Sequence, residues 1–189
     1  MPESLRPRLL PLLHFRIGRP TRLRASETVP SSAGTRGRFI VFEGGEGSGK
    51  STQAELLANR IGAVFTRQPG GTELGAQVRS ILLAASDNGL ADRAEALLMA
   101  ADRAQHVEEL IEPALQAGRD VVCDRYIGSS VAYQGFGRGL DTDMVRAISG
   151  WAAGGLWPDV TILLTVPQEL SLERTGGARD RIEAAGAEF

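Results

Sequence analysis

From residue 39 onward, short apolar runs alternate with stretches of helical period. Phe39-Ile40-Val41-Phe42 is wholly apolar and reads as a strand, as do Ala63–Thr66, Asp120–Cys123 and Val160–Leu164. Between them the pattern predicts helices over about 51–60, 73–84, 142–152 and 168–174. In the first of these, Ala54, Leu57, Ala58 and Ile61 share one face. A longer helical pattern runs from Arg93 to Gln116, with Asp92 as its cap and an adjustment at Pro113. Strands without a polar face imply burial on both sides. The expected fold is therefore α/β, a three-layer arrangement in which helices flank a parallel sheet. No internal repeat is visible.

Residues 1–38 follow another pattern. They are rich in Arg, Pro and Ser, and Pro11 interrupts their one apolar patch, Leu9–Leu13. No small-residue cleavage pattern follows, which argues against a secretory signal. The segment is read as a disordered extension in preference to an organelle transit peptide, with Ser31–Thr35 as linker. It carries a net charge of +6, against −8 for residues 39–189. An acidic body disfavours a general nucleic-acid surface, and no apolar run is long enough for a membrane span. Cys123 is the only cysteine and His14 and His106 are far apart, so neither a disulfide nor a Cys- or His-rich metal cage is expected. Cys123 reads as a buried strand residue, His106 as lying at a helix surface or helix contact, and Trp151 and Trp157 as packing.

The chain has 20 arginines and a single lysine, Lys50. That lysine lies in Gly44-Gly45-Glu46-Gly47-Ser48-Gly49-Lys50-Ser51, which has the spacing G-x-x-x-x-G-K-[ST], follows an apolar strand and opens a helix. Glycines let the backbone curl so that successive N–H groups meet phosphate oxygens, and the helix dipole adds to the attraction. In this reading Lys50 reaches the β- and γ-phosphates and Ser51 offers its hydroxyl to Mg²⁺. Asp124 ends another apolar strand, at the sheet edge where ligands gather, and is a candidate for the Mg²⁺ shell, directly or through water. Arg67, Arg79, Arg103 and Arg125 are candidates for a second phosphate or a base carbonyl. Arg125 is favoured because the strand end fixes its location.

Several separate segments then converge. They are Gly44–Thr52; Phe65–Thr72 with its Pro69-Gly70-Gly71-Thr72 turn; Glu95–Gln105; Asp124-Arg125-Tyr126 with Ser129, Ser130, Ala132, Tyr133 and Gln134; Pro158-Asp159; and Asp180–Glu183. With them, residues 39–189 resemble bacterial thymidylate (dTMP) kinases, P-loop nucleoside monophosphate kinases. The resemblance implies a P-loop kinase domain that stops before the family's usual end, with the last strand and helix missing and a lid at about 174–183. It also implies transfer of phosphate from ATP to dTMP with Mg²⁺, for dTTP synthesis, by a cytoplasmic homodimer.

The resemblance assigns roles residue by residue. Glu46 would contact the deoxyribose 3′-hydroxyl, and Arg67 and Arg125 would flank the acceptor phosphate. Arg103 and Ser130 would read the thymine edge, Tyr133 would lie beneath the sugar, and Gln134 would sit near the base. Arg174, Arg179 and Arg181 fall in the lid, which would supply the transition-state cation. Three departures stand out. Gln68 replaces a usual Glu; Met99 replaces a stacking aromatic, and reads equally as helix core; and the lid is short around Gly176-Gly177. Two alternatives remain open: another nucleoside monophosphate kinase, and a nucleotide-binding fragment without catalysis.

Overall fold

A computed structural model describes residues 36–84 and 89–175. The chain divides into two units, Met1–Ser32 and Ala33–Phe189, and every described residue lies in the second. The expectation for the leader falls mainly on residues 1–35, outside the described residues, and so does most of the expected lid.

Four strands, β1 (Phe39–Gly44), β2 (Val64–Arg67), β3 (Val121–Asp124) and β4 (Val160–Leu164), form one parallel sheet in the order β2-β3-β1-β4. Successive side chains of a strand point to opposite faces, and at β1 and β3 both faces are covered. Phe39 and Val41, with Val121 and Cys123, pack against Val107, Ile111, Ala114, Leu115 and Tyr126. Ile40, Phe42 and Val122 pack on the other face against Ala54 and Ala58 of helix α1 (Lys50–Ile61), whose small side chains let the helix approach closely. This two-sided burial explains the uninterrupted apolar sequence of β1 and β3. Cys123 is fully buried, as expected. At the edge of the described sheet, β4 leaves Val160 and Leu163 exposed.

Polar groups fasten the N-terminal ends of the strands. The Phe39 amide donates to Asp159 Oδ2 at 2.6 Å, and the Asp159 amide donates back to the Phe39 carbonyl at 2.8 Å. The Arg38 amide donates to Asp120 Oδ1 at 2.7 Å. The outer helices are α2 (Glu73–Leu83), α3 (Asp92–His106), α4 (Glu112–Gln116), α5 (Ile127–Ser130), α6 (Thr142–Ala152) and α7 (Gln168–Thr175). Thr72 caps α2 by accepting from the Gly75 amide, and Asp141 caps α6 by accepting from the amides of Asp143 and Met144. Met99 joins Val78 and Leu82 in a third cluster between α2 and α3.

Three expectations need correction. The single helix expected over 93–116 is broken by a π-helical turn, Val107–Ile111, just before Pro113. Proline has no N–H for the regular ladder, and the wider turn takes up the mismatch. Residues 127–137, to which the sequence pattern assigned no element, form α5 and a π-helical continuation, Val131–Gly137. Trp151, read as packing, is 83% exposed.

His106, expected at a helix surface or contact, is wholly enclosed, with Nε2 2.7 Å from Thr66 Oγ1 on β2. Burial, aided by the charge of Arg103, lowers its pKa from 6.5 to about 4. Between those values the unfolded chain binds more protons than the folded one, so stability falls as pH drops through the window. The expected loss is about 3 kcal/mol, levelling off below the folded pKa. Urea unfolding across this range checks it: His106→Asn should give a shallower acid limb, and an unchanged slope would contradict the assignment.

Candidate functional site

The site is assembled where the C-terminal ends of β1 and β3 meet α1. The parallel register sets Phe42 opposite Asp124, and the Arg125 amide continues the ladder by donating to the Phe42 carbonyl at 2.8 Å. The Gly44–Ser51 loop between β1 and α1 is curled. Gly47 has φ of 67° and lies under α7, where an added Cβ would meet the Ser171 carbonyl oxygen at 2.9 Å. Gly49 also takes a left-handed conformation, φ 84°, as it turns the chain into α1. Only glycine adopts these angles freely, so the loop's sequence follows from its shape.

Lys50 is buried, yet its Nζ donates to Glu46 Oε1 at 2.9 Å and to the Gly45 carbonyl at 3.3 Å. Arg125 reaches the same carboxylate: its Nη2 donates to Glu46 Oε1, and its Nη1 donates to the Gly44 carbonyl at 3.1 Å and to Ser129 Oγ at 3.2 Å. Two cations from different elements thus share one carboxylate. Arg125 has a left-handed backbone, φ 70°, which is uncommon for a side-chain-bearing residue. Its guanidinium lies over the Tyr133 ring, 5.3 Å from the centroid. A cavity of about 280 Å³ adjoins these groups, lined by residues including Gly44, Gly45, Arg125, Ser129 and Tyr133.

Next to the lysine, Ser51 Oγ donates to Asp124 Oδ2 at 2.5 Å. The other oxygen, Asp124 Oδ1, is buried and has no hydrogen-bond partner among the described residues. A buried carboxylate oxygen normally has one. An open carboxylate beside a hydroxyl, facing a phosphate loop, is the oxygen donor set that Mg²⁺ takes together with substrate phosphates and water. The loop is covered from above by α7, where Ser171 Oγ donates to the Glu46 carbonyl at 2.7 Å and Arg174 Nη1 to the Gly47 carbonyl at 2.9 Å. Ser48 is buried in the loop and Thr52 is exposed on α1.

The other candidates separate into groups. Arg67 is exposed at the end of β2, in register with Asp124, and Arg79 Nη1 donates to the Pro69 carbonyl at 3.0 Å. Met99, Arg103, Ser130 and Gln134 are almost fully enclosed and are not among the residues that line the cavity. Gln134 Nε2 donates to Glu95 Oε1 at 2.8 Å. Arg179 and Arg181 lie outside the described residues.

One residue of the site went unnoticed in the sequence. Glu43 is buried at the end of β1, accepts from the amides of Tyr126 and Ser129, and accepts from Ser129 Oγ at 2.6 Å. It caps the start of α5 from another strand and so supports the turn that carries Arg125. The signal was present: a carboxylate closing an otherwise apolar strand.

Curled amides, a buried ammonium and an open carboxylate are suited to one kind of ligand, the polyphosphate of a nucleotide. The chain is thus a P-loop nucleotide-binding α/β protein. Comparison narrows the class. The thymidylate kinase family model matches residues 42–188. The thymidylate kinase of Halothermothrix orenii is 52% identical over 147 residues, 75% of this chain and 70% of that protein. That of Leifsonia xyli subsp. xyli is 53% identical over 161 residues, 81% of this chain and 76% of the other. The crystal structure of thymidylate kinase from Ehrlichia chaffeensis superposes with a TM-score of 0.66 at 34% identity, covering 79% of this chain and 84% of that one. The chain belongs to the thymidylate kinase family.

The shared carboxylate yields a prediction. Glu46→Ala leaves Lys50 and Arg125 without their common anion. Apo stability should fall by about 1–2 kcal/mol, a modest figure because Glu46 is itself 39% exposed. Added pyrophosphate should restore more stability to the variant than to the wild type. Equal responses in urea unfolding would contradict the shared-anion reading.

Proposed function

We propose that the chain transfers the γ-phosphoryl group of ATP to the phosphate of dTMP, giving ADP and dTDP. The observation that carries this reading is the convergence of Lys50 and Arg125 on Glu46. A carboxylate held between two cations marks where anionic oxygens of a donor and an acceptor can be held side by side. In this reading Lys50 and the loop amides hold the β- and γ-phosphates, while Arg125, with Arg67, holds the acceptor phosphate. Tyr133 supports the sugar of a deoxynucleotide, Arg103 and Ser130 lie on the base side, and Arg174, Arg179 and Arg181 belong to the lid.

The acceptor oxygen is already anionic near neutral pH, since the second pKa of a phosphate monoester is about 6. No general base is needed. An oxygen of dTMP attacks the γ-phosphorus as the bond to the β–γ bridging oxygen breaks, and ADP leaves with that electron pair. The protein's task is to hold two polyanions in line and offset their repulsion. Asp124 and Ser51 are the residues that would hold Mg²⁺, which when bound neutralises charge on the transferring phosphates. The reading extends to a homodimer in the cytoplasm with ATP and dTMP as its partners, and without nucleic acid or membrane. Leu97 on α3 and Met144 and Trp151 on α6 provide exposed apolar surface for a second copy.

An ADP-release assay with dTMP, dUMP, CMP and GMP tests the function. Turnover should be highest with dTMP and absent with GMP. Lys50→Ala should lower kcat by about a thousandfold, with an unaltered circular dichroism spectrum. Near-normal turnover in that variant, or a preference for a purine acceptor, would overturn the proposal.

A further inference from the structure

Behind the site, four enclosed polar side chains join the end of β2 to α3. Arg103 Nε lies 2.9 Å from Gln68 Oε1, Gln68 Nε2 lies 3.4 Å from His106 Nδ1, and His106 Nε2 lies 2.7 Å from Thr66 Oγ1. All four are buried. The direction of this chain of bonds is fixed at one end. A guanidinium has donors only, so the Gln68 oxygen must face it. That turns the Gln68 amide nitrogen, also donor-only, toward Nδ1, which must then accept. The imidazole proton is left on Nε2, and the Thr66 hydroxyl oxygen accepts it.

The Gln68 amide nitrogen carries a second hydrogen, and the Asp102 carboxylate of α3 is the acceptor beside it. A Cβ on Gly71 would lie 2.2 Å from His106 Nε2, so the ring sits directly against the turn that follows Gln68. The same turn is tied to α3 by Asp102, whose Oδ1 accepts from the Gly70 amide at 2.9 Å. The remaining Arg103 nitrogens hold the acceptor side. Nη1 donates to Ser149 Oγ on α6 at 3.0 Å, and Nη2 donates to Ser130 Oγ at 2.8 Å and to the Tyr126 carbonyl at 3.4 Å. Ser129, adjacent on α5, accepts from Arg125. The orientation of Arg103 thus sets α5, and α5 sets the surroundings of Arg125.

We propose that Gln68 and His106 are positioning residues for the acceptor site, a one-way hydrogen-bond relay that locks Arg103 and requires His106 as the neutral Nε2–H tautomer. The acceptor-side role rests on the reading of Arg125 given above; the relay itself does not. The burial that holds the imidazole neutral is consistent with it. A carboxylate at position 68 would change the logic. It accepts from Arg103 and from a protonated Nδ1 alike, so Gln68→Glu should move a proton onto Nδ1.

The test uses the full chain labelled with ¹⁵N-histidine, which has two histidines to resolve. Long-range ¹H–¹⁵N spectra at pH 7 should show His106 as the Nε2–H tautomer in the wild type, and protonated on Nδ1 in Gln68→Glu. An Nδ1–H tautomer or an imidazolium in the wild type would overturn the relay, as would a tautomer unmoved by Gln68→Glu. In kinetics, His106→Phe should raise the KM for dTMP about tenfold, the scale of a lost buried hydrogen bond, with the KM for ATP within about twofold. His106→Asn, whose carbonyl can still accept from Gln68, should recover most of that loss. Equal effects in the two variants, or a parallel rise in both KM values, would reduce the role to packing. The spectra need no substrate, so their failure removes the relay alone. A wild-type chain that does not turn over dTMP removes the functional reading and the acceptor-side role with it.

Discussion

The parallel pairing of β1 with β3 is the constraint on which the site depends. It sets Asp124 beside Phe42, so the carboxylate that ends one strand meets the hydroxyl that opens the helix after the other. The same ladder continues through the Arg125 amide into a left-handed residue, which directs the guanidinium back over the glycine loop. A slip of one residue would send Asp124 to the opposite face. Burial of β3 on both faces opposes such a slip, because Val121 and Cys123 would exchange places with Val122 and Asp124 in cores of different size. Packing energy within the sheet thus becomes positional accuracy at its edge.

Electrostatics sets the second requirement. Lys50 is buried and Arg125 is largely so, and without ligand each needs an anion. Glu46 serves both from within the loop. Buried, unpaired charge is costly, and one carboxylate within the loop satisfies two cations. Phosphate oxygens entering the site would replace a carboxylate in contacts of the same chemistry. On the far side of Arg125, Glu43 performs the corresponding task for the backbone, its Oε1 accepting from both amides at the start of α5.

Much of this was legible in the sequence. The four strands, α1 and the bounds of α6 follow from apolar runs and helical period, and the phosphate loop from its spacing between a strand and a helix. What was missed depends on distant partners. Residues 127–137 are rich in glycine and serine, poor helix formers, and their helix begins on a cap supplied by Glu43 from another strand. The break before Pro113 was placed only as an adjustment, because a proline signals a lost hydrogen bond and not the wider turn that absorbs it. His106 looks like a polar residue of a helix flank. Its burial depends on Thr66 and Gln68, some 40 residues earlier in the chain. Local pattern indicates which elements form, but long-range partners decide which polar side chains are enclosed.

The central claim is that the Lys50 and Arg125 sites are contiguous, one for each phosphate of a transferring pair. Calorimetric titration with adenosine and thymidine joined 5′ to 5′ through five phosphates tests this most directly. The account predicts an affinity well above that of ATP or dTMP alone, since linking two adjacent ligands makes the second contact intramolecular. An affinity no greater than that of ATP would contradict it.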